Sequence, residues 1–332
     1  MGPMPKKKSL TLQRVLVLLL AYIMLAVCGG VAASVLFVPG VVGANKAAKA
    51  VIPSLKVENV DFDVTSLPQK STMYARDGST VIATFYNQNR IVVPLKKISK
   101  TMQQAVVARE DRRFWTHAGV DVQGVMRAFV QTYLVKGSQQ GGSSLTQQYV
   151  KNVLLMQAIE DDDSIAQYHA TEDTIARKIR EMLISVQMEK KYSKAEILQG
   201  YLNIAQFGNN LYGVETAAQR YFSVSAADLN VVQSATIAAI TKNPSLYDPL
   251  VEENQKESEN QRNIVLKLML QEGYITQDQY TEAVNTPLKD TLKVQDVNVG
   301  CQDTGDYAYF CDFVVHRIQN SEEFGKTRAE RN

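Results

Sequence analysis

No charged side chain occurs over residues 15–38, and at about 1.5 Å rise per residue a helix of that length crosses the ~30 Å hydrocarbon core of a bilayer. The pattern predicts one transmembrane helix there. A cleavable signal peptide is the competing reading, because Ala32, Ala33 and Ser34 are small residues suited to a cleavage site; its apolar region is ordinarily shorter, which favours an uncleaved anchor. Residues 39–70 show no strong periodicity and read as a juxtamembrane connector. Over residues 73–95 the β-formers cluster around the turn dipeptide Asp77-Gly78, in the run 80–86 and again at Ile91-Val92-Val93. This predicts a small hairpin or a three-stranded patch. From about residue 99 the period becomes helical. Ser193 with Glu196 and Thr276 with Gln279 have the spacing of capping boxes at helix starts. Gly273 fits a helix stop after 261–272, Pro244 and Pro249 fence a turn after the apolar run 234–240, and the acidic stretch 160–163 reads as a solvated loop. The chain is therefore expected to be mainly α, with a small β element, behind one transmembrane helix.

Charge refines this picture once it is followed along the chain. The formal net charge is +2, from 36 Lys and Arg against 34 Asp and Glu. Lys6, Lys7, Lys8 and Arg14 precede the apolar run with no acid among them, which leaves the rest close to neutral. A near-neutral body argues against nucleic acid as a partner, since phosphate binding needs clustered cations. Basic residues before a span predict a cytoplasmic N-terminus, so everything beyond about residue 40 is expected outside the membrane. Of three cysteines, Cys28 falls in the span, whereas Cys301 and Cys311 are the pair left in an oxidising compartment. A disulfide between them is predicted.

Four segments carry candidate chemistry. Glu110-Asp111-Arg112-Arg113-Phe114-Trp115-Thr116-His117-Ala118-Gly119-Val120-Asp121 has the form E-D-x-x-F-x-x-H-x-G-x-D. Gly141-Gly142-Ser143-Ser144-Leu145-Thr146-Gln147-Gln148 is followed by Lys151-Asn152, and Arg177-Lys178-Ile179-Arg180-Glu181 gives R-K-x-x-E. The fourth runs from Lys194-Ala195-Glu196 through Tyr201-Leu202-Asn203 to Phe207-Gly208, Tyr212-Gly213-Val214-Glu215 and Tyr221-Phe222. In this order and spacing the segments resemble glycosyltransferase family 51, the polymerase module of class A penicillin-binding proteins, from about residue 73 to residue 249. The resemblance implies a lysozyme-like glycosyltransferase domain and inverting transfer of a growing lipid-linked glycan onto the 4-hydroxyl of lipid II. It implies a membrane-bound enzyme of peptidoglycan synthesis and cell-wall biogenesis, with an extracytoplasmic catalytic domain and a role in cell shape. Its domains are expected as a basic tail (1–14), the span (15–38), connector and hairpin (39–96), the glycosyltransferase domain (97–290) and the start of a linker (291–332). No serine is followed three residues later by lysine, so the S-x-x-K of a transpeptidase is not in this sequence. The expectation is a piece of a bifunctional protein; a monofunctional polymerase is the alternative.

The chemistry explains why those residue types are wanted. A sugar hydroxyl attacking an anomeric carbon must lose its proton while charge builds on a departing diphosphate, so the site needs a base and a cationic cradle. The resemblance makes Glu110 the general base and Glu181 the second essential carboxylate. Lys151, Arg177 and Lys178 are candidates for the diphosphate, and Asp111, Phe114, Ser144, Thr146, Gln147 and Gln148 for the substrate. A divalent cation such as Mg at the diphosphate is a candidate cofactor; no covalent one is expected. His117, His169 and His316 lack metal-ligand spacing, and a structural hydrogen bond is expected for His117. This chain departs from the family pattern in four places: Asp173 stands before Thr174, Gln199 and Gln233 stand where Glu is usual, and the segment 158–172 is long. Two other functions are weighed: a lytic glycosidase on a similar fold, and a catalytically silent scaffold that recruits wall-building proteins.

Overall fold

The computed structural model describes residues 67–86, 88–129, 142–295, 299–301, 304–326 and 331. The predicted basic tail and transmembrane helix and most of the connector lie outside the described residues, as does Gly141. Among the described residues no helix is long and apolar enough to cross a membrane. The chain divides into two compact units, residues 1–56 with 174–180 and residues 57–173 with 181–332.

The larger unit is mainly helical. Its centre is α8 (Val231–Ile240), which packs against α1 (Lys100–Glu110) and α9 (Gln255–Gln271), and these two also touch each other. From Ser234 to Ile240 every residue of α8 is buried. A helix apolar on all sides belongs inside, and Ala235, Ala238 and Ala239 let its neighbours approach closely. A second layer is formed by α3 (Leu145–Glu160), packed on α4 (Ser164–Thr171) and α6 (Lys194–Ile204). The remaining helices are α2 (Val122–Phe129), α5 (Ile175–Lys191, of which 181–191 lie in this unit), α7 (Val214–Phe222), α10 (Gln277–Asn285), α11 (Leu288–Thr291) and α12 (Ala308–Asn320).

The predicted caps are present. Capping boxes start α6 at Ser193 and Glu196 and α10 at Thr276 and Gln279, and Gly273 takes φ +70° after α9. Two further boxes, Ser144 with Gln147 and Asn230 with Gln233, start α3 and α8. Gln233 thereby has a task that its amide performs as well as a carboxylate would. Gln199 likewise uses its carbonyl oxygen to accept from the Leu95 N–H at 2.8 Å. The acidic stretch 160–163 is a tight junction between two helices: Asp163 caps α4 by accepting from the N–H groups of Ile165 and Ala166.

Strands β1 (Ser71–Tyr74) and β2 (Val81–Phe85) form the expected antiparallel hairpin. At its turn, the Thr80 hydroxyl and the N–H groups of Ser79 and Thr80 donate to Asp77, and these bonds hold its carboxyl down at about 2. The alternative of a three-stranded patch is not what forms. Strand β3 (Asn89–Arg90) pairs in parallel with β4 (Leu211–Tyr212) instead. Residues 91–93 are no strand, because side chains take their N–H groups: Ile91 donates to Thr216 Oγ1, Val92 to Gln69 Oε1 and Val93 to Asn203 Oδ1. Arg90, fully buried, donates to the carbonyls of Asn203 and Pro68 and to Gln88 Oε1. Burial pushes its guanidinium down to about 10.

Residues 299–301 return to the hairpin. Val299 bridges Thr84, the Gly300 N–H donates to the Thr84 carbonyl at 2.9 Å, and Cys301 is disulfide-bonded to Cys311. The buried Cys311 packs with Ile82 and Ala83, so the bridge fastens α12 to the sheet. Alkylating the unfolded, unreduced protein should label neither Cys301 nor Cys311, and labelling of both would remove this clasp. Replacing the pair by Ala should cost about 2–3 kcal/mol, the amount expected for opening so short a loop, measured by urea denaturation.

Candidate active site

Glu110 is the last residue of α1, held in place by the buried residues Met102 and Ala105, Val106, Val107 and Ala108 earlier in the same helix. Its carboxylate is half-buried and both oxygens have donors. The Gln148 amide on α3 donates to Oε2 at 2.8 Å, and the Thr241 hydroxyl at the end of α8 lies 2.6 Å from Oε1. Tyr201 on α6 donates its hydroxyl to Gln148 Oε1 at 3.2 Å, which orients the amide with its nitrogen toward Glu110. Burial, then the Glu110 charge, push the Tyr201 phenol well above its ordinary range, so it stays a neutral donor. Four helices thus converge on one carboxylate.

The next residues build the support. The Leu145 N–H, at the start of α3, donates to Asp111 Oδ2 at 2.9 Å, and His117 Nε2 lies 2.7 Å from the same oxygen. On its other side His117 Nδ1 faces the Lys194 ammonium at 3.3 Å. An ammonium only donates, so Nδ1 accepts and Nε2 carries the proton toward Asp111. Lys194 also pairs with Glu189 at 2.7 Å and sits 4.5 Å over the Phe114 ring. The Thr146 hydroxyl closes the network on Glu189 at 2.5 Å. Ser144 donates its hydroxyl to the Gly119 carbonyl at 2.6 Å. Gly119 has φ +83°, and a Cβ there would stand 2.7 Å from the backbone of Ser185 and Val186, so this approach to α5 requires glycine. Arg113 pairs with Asp121, whose Oδ1 also takes the Gly124 N–H. The first sequence motif is therefore one folded loop, with Asp111, Phe114, His117, Gly119 and Asp121 as its internal fastenings.

The expected site residues fall into distinct settings. Glu110 and Gln148 meet directly, and Lys151 follows one turn later on α3, half-buried. Asp111, Phe114, Ser144, Thr146 and Gln147 are buried, and their contacts hold the base of α3 in place. Glu181 is buried on α5, where its carbonyl accepts from the Ser185 hydroxyl at 2.6 Å. Arg177 and Lys178 belong to the other unit. There Thr174 starts the helix, its hydroxyl accepting from the Arg177 N–H and its carbonyl from the Lys178 N–H. Arg177 is buried and Lys178 half-buried. His117 has the structural hydrogen bond expected of it.

Sequence reasoning missed Thr241 and Glu189 and gave Lys194 no role. Glu189 sits in a Glu-Lys-Lys run that reads as a solvated face, and Thr241 sits in no charged or Gly-rich pattern that would single it out. A cavity of about 280 Å³ lies elsewhere, lined by Lys70, Thr72, Thr84, Asn89, Thr216 and Arg220 among others, and it includes none of these site residues.

Residues 78–270 match the family described as Transglycosylase. Penicillin-binding protein 4 of Bacillus subtilis (strain 168) is 37% identical over 272 residues, which is 81% of this chain and 40% of that protein. Penicillin-binding protein 1A of Aquifex aeolicus (strain VF5) is 39% identical over 221 residues, 67% of this chain and 28% of that one. The chain thus spans less than half the length of these relatives. A crystal structure of penicillin-binding protein 1A from Haemophilus influenzae aligns with 79% of this chain and 25% of its own at 24% identity and a TM-score of 0.41.

The support network makes a stability prediction. Asp111→Ala leaves the Leu145 N–H and the His117 ring nitrogen buried without an acceptor, which should lower stability by about 2–4 kcal/mol. Asp111→Asn keeps an acceptor oxygen and should cost less. Urea unfolding followed by circular dichroism measures both, and an Ala variant as stable as the parent would contradict the assigned role.

Proposed function

Because the chain belongs to the Transglycosylase family, we propose that it is a peptidoglycan glycosyltransferase that polymerises lipid II into glycan strands. The observation that carries the reading is the setting of Glu110, a carboxylate whose two oxygens each face a neutral donor while α3 brings Lys151 one turn away. Neutral donors fix the orientation of the carboxylate and leave lone pairs for an incoming hydroxyl, where a cation in contact would quench its basicity.

In this reading Glu110 takes the proton of the acceptor 4-hydroxyl as that oxygen attacks the anomeric carbon of the growing lipid-linked chain. The new glycosidic bond forms with inversion, and the bond to the lipid diphosphate breaks. Negative charge grows on the leaving diphosphate, which Lys151, Arg177 and Lys178 are proposed to hold; stabilising it should be a major part of the rate enhancement. Glu181 is the second essential carboxylate of the proposal, with the cationic side chains or a divalent ion as what it would position. Among the described residues no cluster of three or more His, Cys, Asp or Glu side chains could cage a metal. A divalent cation such as Mg at the diphosphate remains part of the proposal, since Mg is commonly bound by one or two carboxylates together with substrate phosphates.

The rest of the proposal follows from the substrate and the family. The domain is lysozyme-like and extracytoplasmic, tethered by the apolar run 15–38, and its partners are the membrane, lipid II, the growing glycan and other wall-building proteins. Glu110→Gln should lower polymerisation of lipid II by at least about 10²-fold, the scale of a lost general base, while the melting midpoint stays near that of the parent. Parent-like turnover by this variant would refute the base.

A further inference from the structure

We propose that the Thr241 hydroxyl is a positioning group that serves both protonation states of Glu110, donating to the carboxylate before proton transfer and turning to the Ala238 carbonyl after it. The inference rests on Glu110 acting as the base. Thr241 Oγ1 lies 2.6 Å from Glu110 Oε1 and 2.8 Å from the Ala238 carbonyl oxygen. A hydroxyl has one proton and two lone pairs, so it serves one acceptor at a time. Beside the neutral Tyr201 oxygen, which it also neighbours, the charged Glu110 oxygen is the strongest acceptor in reach.

With the carboxylate ionised, a proton turned toward Ala238 would leave an oxygen lone pair facing a negative oxygen at 2.6 Å. Donation to Glu110 is then strongly preferred, because a bond to a charged acceptor is about twice as strong as one between neutral groups. After the acceptor's proton has moved to Oε1, the balance reverses. The carboxylic acid becomes a donor, Thr241 Oγ1 accepts from it, and the Thr241 proton finds the Ala238 carbonyl. One proton is transferred, from the sugar hydroxyl to Glu110; the Thr241 proton only rotates about the C–O bond.

Gln148 cannot do the same at the other oxygen. Its carbonyl is engaged by the Tyr201 hydroxyl, so the amide presents N–H groups to Oε2 and is a donor only. A proton arriving on the other lone pair of Oε2 would weaken that oxygen as an acceptor for Gln148, which has no way to become an acceptor in turn. The pair therefore favours Oε1 as the oxygen that changes protonation, since only its neighbour can switch from donor to acceptor. Burial of Tyr201, which keeps its phenol neutral, fixes this polarity. Serine could replace Thr241 in the role, and valine, which has the same shape without the hydroxyl, could not.

The test compares Thr241→Val, Thr241→Ala and Thr241→Ser in steady-state polymerisation of lipid II. Loss of one charge-assisted bond should lower kcat about tenfold or more in the Val and Ala variants, with KM changed less than about twofold and the melting midpoint close to the parent's. The Ser variant should return to within about threefold of parent kcat. Adding Thr241→Val to Glu110→Gln should cause no further loss, since the bond is already gone. Parent-like kcat in the Val and Ala variants, or equal slowing in all three, overturns the inference. If Glu110→Gln is inactive while Thr241→Val is unimpaired, only this inference falls; if Glu110→Gln turns over normally, the functional reading falls with it.

Discussion

The hydrogen bond from the Gln148 amide to the Glu110 carboxylate is the interaction on which the rest of the site depends. It joins the end of α1 to the first turns of α3, and Tyr201 fixes its direction. A half-buried carboxylate is costly to leave unsatisfied, so the donors must arrive together and at a fixed distance. That requirement explains why α1, α3, α6 and α8 are packed as they are around this corner.

The position of α3 is in turn set from below. Asp111, adjacent to Glu110 in sequence, accepts the Leu145 N–H at the start of α3, so one dipeptide anchors the helix and presents its carboxylate to it. His117, Lys194, Glu189 and Thr146 extend the same network onto α6 and α5. Buried charges of this kind are tolerated only when each has its partners. The cluster fixes the position of α3 relative to the loop after α1. Close backbone contact at Gly119 sets the distance between the loop after α1 and α5.

Much of this was legible in the sequence. The helical period, the turn at Asp77-Gly78 and two capping boxes follow from local chemistry, and the pairing of Cys301 with Cys311 follows from the oxidising compartment expected beyond the span. The order of four motifs identified the family and pointed to Glu110 and Gln148. What stayed hidden depends on contacts between residues far apart in the chain. Residues 91–93 look like a strand, yet Asn203 and Thr216 satisfy their backbone donors. Thr241 is an unremarkable threonine until α8 places it beside α1. Glu189 looks like a surface acid because its partners, Thr146 and Lys194, lie on two other helices. Phe114, Ser144 and Thr146 are buried, and their contacts fasten the loop after α1 and the start of α3, which no local pattern announces.

The central claim is that a carboxylate base and a cationic cradle extend a glycan from a lipid diphosphate. Incubating the purified chain with lipid II alone and resolving the products by gel electrophoresis tests this most directly. A ladder of lengthening glycan with release of lipid diphosphate is the expected result. Unchanged lipid II, or shortening of preformed glycan strands without any new polymer, would contradict it.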